Sequence, residues 1–102
     1  MSDSKDKTVK KLIDEYLTLL DETAIYLDGY AEAIVGIQAK GGASIVYDEE
    51  KILEIIQKDQ RVTREDAVAF YEYNVEGTCL GRHTPLFITT VEQLKTLLGE
   101  RG

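Results

Sequence analysis

Cys79 and His83 stand in a Cys-x-x-x-His spacing that could bring a thiol beside an imidazole. A nucleophilic thiolate needs a base next to it, and a zinc ion needs about four ligands. The chain has one cysteine and one histidine. A metal site would therefore need Glu72 and Glu76 to fold back toward the same loop. The plainer reading is a small buried cysteine and a loop histidine, and neither a metal nor a cofactor is expected. Gly36 and Gly41 have the separation found in a phosphate-binding loop. Gly42 and Ala43, however, occupy the places of its Lys and Ser or Thr, and a strand-like run follows where a helix is required. That excludes a P-loop and leaves a hairpin turn. Acidic residues are many but dispersed, no D-x-D-x-D-G calcium loop occurs, and paired carboxylates for acid–base catalysis cannot be chosen from sequence alone. The chain is not expected to be an enzyme.

Two segments carry more glycine and polar residues than packing needs. One runs from Tyr26 through Asp28, Gly29 and Tyr30 to Gly36. The other runs from Phe70 through Glu72, Tyr73 and Asn74 to Gly77, then on through Gly81 to Pro85. Asn74 falls on the same helical side as Ala67, Phe70 and Tyr71, so it is expected to be semi-buried and hydrogen-bonded. It either braces the loop that follows or belongs, with Asp28, Tyr30, Glu72 and Tyr73, to a polar, aromatic-lined pocket or partner surface.

The elements that must position these residues follow from periodicity. Val9, Leu12, Ile13, Tyr16, Leu17 and Leu20 form one stripe of an amphipathic helix. It ends either near Asp21 or at Gly29. Residues 33–38 and 43–47 are short β-branched runs around Gly41-Gly42, a β-hairpin, with Gly36 marking a bulge or a close approach. Asp48 is placed to cap a short helix, with Glu49 and Glu50 favourable at its positive end. Its buried side holds Ile52, Leu53, Ile55 and Ile56. Thr63 to Asp66 resembles a capping box that opens a helix over 64–75, with Ala67, Val68, Phe70, Tyr71 and Val75 inward. Leu86-Phe87-Ile88 after Pro85 reads as a third strand. Thr90 with Gln93 caps a last helix carrying Val91, Leu94, Leu97 and Leu98. The order is α-β-β-α-α-β-α: an α+β fold in which a small antiparallel sheet, hairpin plus third strand, packs against helices.

Composition bounds the rest. The chain has 102 residues and is 43% apolar, enough for one modest core; residues 1–102 form a single domain with residues 1–6 frayed. Twelve basic against 19 acidic residues give a net charge of −7, which repels phosphate backbones, so no direct nucleic-acid binding is expected. One cysteine excludes an internal disulfide framework. No apolar run approaches the roughly 18 to 20 residues of a membrane span, and MSDSKDKTVKK lacks a signal core. A cytoplasmic protein with no membrane contact is expected. The apolar stripes of the first and last helices exceed what a small sheet can bury, which predicts a two-fold homodimer.

Tyr-Leu-Asp-Gly-Tyr-x-x-Ala-Ile-Val-Gly, Val-Tyr-Asp, Glu-Asp-Ala-Val-x-Phe-Tyr-Glu-Tyr-Asn-Val-x-Gly and Thr-Pro-Leu-Phe-Ile follow one another between Tyr26 and Ile88. This pattern resembles a family of small proteins common in phage genomes and prophages. The chain departs from it at Arg82-His83, where an acidic residue is expected, and at the short Lys40-Gly41-Gly42 turn. The family has no assigned activity, so the resemblance implies a phage-related origin and the cytoplasm of a host cell. Together these features point to a noncatalytic accessory protein that binds a host or viral protein. A small-ligand, nucleotide-like binding or sequestering protein is the alternative. An acidic DNA mimic, whose carboxylates imitate a phosphate track, is a second.

Overall fold

The computed structural model describes residues 2–39, 42–78 and 83–99. Helix α1 spans Ser2–Leu20. No proline or glycine interrupts it. It stops at Asp21, which takes a left-handed conformation at φ 57°. There the Glu22 N–H bonds the Leu17 carbonyl and the Asp21 N–H bonds that of Thr18, the paired closure of a Schellman motif. The continuation toward Gly29 does not occur.

Strands β1 (Ile34–Gln38) and β2 (Ser44–Asp48) form the expected hairpin. The register jumps between Ile34 and Gly36, so Val35 is the extra residue of a bulge. Nothing lies within 4 Å of a Cβ built on Gly36, so a bulge, not a close approach, accounts for this glycine. Helix α2 (Glu49–Gln60) starts where Asp48 accepts hydrogen bonds from the N–H groups of Glu50 and Lys51. Helix α3 (Arg64–Phe70) starts where Thr63 accepts from Asp66. The helical path continues through a π turn, Tyr71–Val75, and a 3-10 turn, Glu76–Thr78. Strand β3 (Leu86–Ile88) and helix α4 (Val91–Leu97) close the order, with Thr90 accepting from the Gln93 N–H. The α+β class and the order α-β-β-α-α-β-α are those read from the sequence.

One feature of the sheet differs. Its order is β1-β2-β3, and β3 runs parallel to β2, pairing Leu86 with Val46, Phe87 with Tyr47 and Ile88 with Asp48. The sheet is mixed, not antiparallel throughout. The connection allows it: α2 and α3 lie between β2 and β3, and a crossover of that length permits the parallel direction that a tight hairpin forbids.

Central strand β2 and helix α2 make the core. Ile45, Tyr47 and Ile52 are fully buried, and Leu53, Ile56, Ala67, Tyr71 and Val75 close around them. Phe87 ties β3 in, with its ring 6.1 Å from that of Tyr47 and 5.4 Å, edge-on, from that of Tyr71. Of the residues of α1 whose burial is described, Ile13 and Leu17 are buried, and from α4 no residue is. Among the described residues no helix is long and apolar enough to cross a membrane.

Candidate functional site

Asp28 and Gly29 sit at the centre of a tight turn in which the Tyr30 N–H reaches the Leu27 carbonyl at 3.4 Å. Gly29, at φ 92°, holds the position of that turn where glycine is favoured. The turn is pinned to the core from below: the Leu27 N–H donates to the buried Tyr47 hydroxyl at 2.8 Å. Asp28 is exposed and Tyr30 half-buried. Burial, then the charge of Asp59, raises the Tyr30 hydroxyl above its ordinary pKa. On the same side of the molecule the Tyr26 hydroxyl donates to Asp14 at 2.7 Å, and the Lys10 ammonium lies 5.2 Å from the Tyr26 ring centre. Burial and the Asp14 contact raise that hydroxyl well beyond the usual tyrosine range.

The second segment is built on the π turn. Tyr71 and Val75 are buried, while Glu72, Tyr73 and Asn74 face out, Tyr73 with 81% of its surface exposed. The semi-buried position expected for Asn74 is therefore not observed. In a regular α-helix Asn74 lies almost two turns beyond Ala67 and so over the same face. The wider π turn keeps Val75 beneath Tyr71 and rotates Asn74 off that face. Gly77 completes the turn, since a Cβ there would lie 2.9 Å from the Glu72 carbonyl oxygen. A hydrogen bond of 2.8 Å from the Tyr71 hydroxyl to Glu49 fixes the turn against the start of α2.

The Tyr71 hydroxyl ties the second segment to the head of α2, and the Leu27 N–H ties the first to Tyr47 of β2. Glu72, Tyr73 and Asn74 follow one another on the exposed side of the π turn.

Comparison with protein-family models, with curated proteins and with solved structures finds no match.

The acidic run at the head of α2 is a brace, which local sequence reading reduced to capping and a helix dipole. Asp48 also accepts from Gln93 of α4 at 3.5 Å, Glu49 holds Tyr71, and both oxygens of Glu50 take the Arg64 guanidinium at 2.7 Å. That fork holds the Glu50 carboxyl below the usual carboxylate range against the opposing effect of its burial. Its signal in the sequence is slight: three consecutive acids where capping needs one. His83, at φ 66°, sets Nδ1 3.3 Å from the Ala43 carbonyl oxygen and its ring beside Gly42, so it ties the loop before β3 to the hairpin. Cys79 lies outside the described residues. Among the described residues no group of three or more His, Cys, Asp or Glu could hold a metal ion. One depression, about 440 Å³, is lined by Lys10, Lys11, Asp14, Glu15 and Thr18. Those residues all come from α1, and one helix face encloses nothing.

Proposed function

We propose that this chain is a noncatalytic, phage-type accessory protein that acts as a homodimer by binding a host or viral protein in the host cytoplasm. Tyr73 carries the reading. It projects from a π turn whose flanking residues Tyr71 and Val75 are locked into the core. A fixed, exposed tyrosine offers large contact area at low ordering cost, and aromatic residues of this kind dominate binding energy at protein interfaces. Glu72, Asn74 and Glu76 beside it supply polar contacts and a negative rim. The net charge of −7 argues against direct nucleic-acid binding and favours a partner with a basic contact surface.

The test is capture from host lysate on the immobilised chain, with and without nuclease. A defined protein that survives nuclease and is lost with Tyr73→Ala is expected. Capture that disappears with nuclease overturns the reading. So does a set of nucleotides that raises the melting temperature with saturating dose, which would move the function to ligand sequestration.

A further inference from the structure

We propose that β3 pairs antiparallel with β3 of a second copy across a two-fold axis. The two three-stranded sheets then join into one, and the α4 helices pack together over the seam. This rests on the homodimer reading above and names the surface that makes it.

Three observations converge on this surface. First, β3 is a sheet edge, with β2 as its neighbour. The opposite edge, β1, carries the bulge at Val35, and bulges blunt an edge against pairing. Strand β3 has none, and Leu86-Phe87-Ile88 is its own complement. An antiparallel two-fold centred on Phe87 sets Leu86 opposite Ile88 of the other copy.

Second, the outward residues are apolar. Phe87 faces the core rings, while Leu86 and Ile88 stay open, as do Val91, Leu94, Leu97 and Leu98 of the segment that follows. These six are between 39% and 70% exposed. Gln93 in the first turn of α4 reaches Asp48, the strand partner of Ile88, so α4 starts beside the end of β3. Together the six present on the order of 500 Å² of apolar surface, toward the upper end of what monomers show. A standard interface covers about 800 Å² per partner, so this patch can supply the larger part of one. Three residues of strand pairing hold weakly alone, so the α4 contact is a necessary part of the arrangement.

Third, charge selects a second copy over another occupant. Between His83 and Gly99 the sequence holds one acid, Glu92, and one base, Lys95, in a chain whose net charge is −7. Two such chains repel over most of their surface, and this neutral patch is where they can close. A basic partner would be drawn elsewhere, to the acidic surface.

Light scattering on the full chain across micromolar concentrations tests the proposal. A dimer mass is expected. Leu86→Lys with Ile88→Lys, and separately Leu94→Glu with Leu98→Glu, should weaken association by more than about tenfold and leave the circular dichroism unchanged. Leu12→Glu with Leu19→Glu, on the exposed side of α1, should stay dimeric. A parent that is monomeric throughout overturns the homodimer reading and this proposal together. A dimer that only the α1 variant dissociates overturns this proposal and leaves the homodimer standing. Should the β3 and α4 variants lose their fold, amide exchange of the parent decides. Exchange of β3 amides that slows as concentration rises supports the seam, and exchange independent of concentration overturns it.

Discussion

Strand β2 with α2, and strand β3 with α4, are two strand–helix pairs of similar design and opposite fate. Each strand is followed at once by a helix with an oxygen side chain at its N-cap, Asp48 in one and Thr90 in the other. The first pair is closed on every side: Ile45, Tyr47 and Ile52 have no exposed surface, and the polar groups at its head are all engaged. The second pair touches the core through Phe87 and leaves its other large apolar residues open. Composition does not separate them, since both are rich in Leu, Ile and Val. Position does. A central strand has neighbours on both edges and an edge strand on one, so the same apolar content is core in one place and unclaimed surface in the other.

The sharpest way to break this contrast is to cut equally into both pairs. Ile52→Ala removes a fully buried side chain and should cost about 2 to 5 kcal/mol, lowering the melting temperature by more than about 10 °C at any protein concentration. Leu94→Ala removes a side chain that is nearly half exposed. Its cost should be small in dilute solution and should grow with concentration as the dimer forms. Paired melts over a concentration series check both. Equal, concentration-independent losses would mean that α4 belongs to the core after all.

A smaller effect tests how the first pair holds its neighbours. Tyr47→Phe keeps the buried ring but deletes the oxygen that accepts the Leu27 N–H. An orphaned donor costs roughly 1 to 3 kcal/mol, although phenylalanine is the more apolar residue. Amide exchange should show faster opening in the 22–30 segment than elsewhere. A melt identical to the parent's would show that water replaces the hydroxyl there without cost.

Glu50 probes the same pair through pH. Its carboxyl is held below the usual range in the folded state by Arg64, so the unfolded chain binds the proton more tightly. The stabilisation is therefore complete above the unfolded carboxylate pKa, near 4.3, and is lost as pH falls through the lower folded value. The Glu50 side chain is 11% exposed but that of Arg64 is 52% exposed. Solvent screening reduces the pair to on the order of 1 kcal/mol. Chemical denaturation of Glu50→Gln should show that deficit at pH 7 and a narrowing gap below about pH 4. A gap that persists in acid would assign the loss to packing instead of charge.

What could be read in the sequence was what depends on neighbours along the chain. Asp48, Thr63 and Thr90 cap because a short oxygen side chain reaches N–H groups two or three residues on, and β3 begins just after Pro85 for equally local reasons. The bulge at Gly36 belongs with them. What escaped depends on distance or on unusual backbone. The direction of β3 depends on the crossover through α2 and α3, which permits parallel pairing. The end of α1 was ambiguous because Asp21, not a glycine, adopts the left-handed position, and Arg61 does the same after α2. The exposure of Asn74 was hidden by the π turn, which has no reliable sequence mark, although Gly77 closing on the Glu72 carbonyl is a trace of it. As for the candidate site, its residue types were legible, but the exposure of Glu72, Tyr73 and Asn74 beside the buried Tyr71 and Val75 was not.

The smallest expected effect is also the one that separates surface from core within a single turn of chain. Tyr71 and Tyr73 are the same residue type two positions apart in the π turn, one 3% exposed and the other 81%. Tyr71→Ala removes an aromatic ring packed edge-on against Phe87 and a hydroxyl bonded to Glu49, so it falls in the range of core aromatic losses, about 3 to 5 kcal/mol. Tyr73→Ala removes a ring that supports nothing beneath it and should leave stability within about 0.5 kcal/mol of the parent. If Tyr73 is there for a partner, the two variants diverge in opposite senses: the first loses fold and binding together, and the second loses binding alone. Melting and capture measured on both proteins read this directly. A Tyr73→Ala protein that melts well below the parent would make the tyrosine a structural element. One that melts and binds like the parent would remove it from the contact surface.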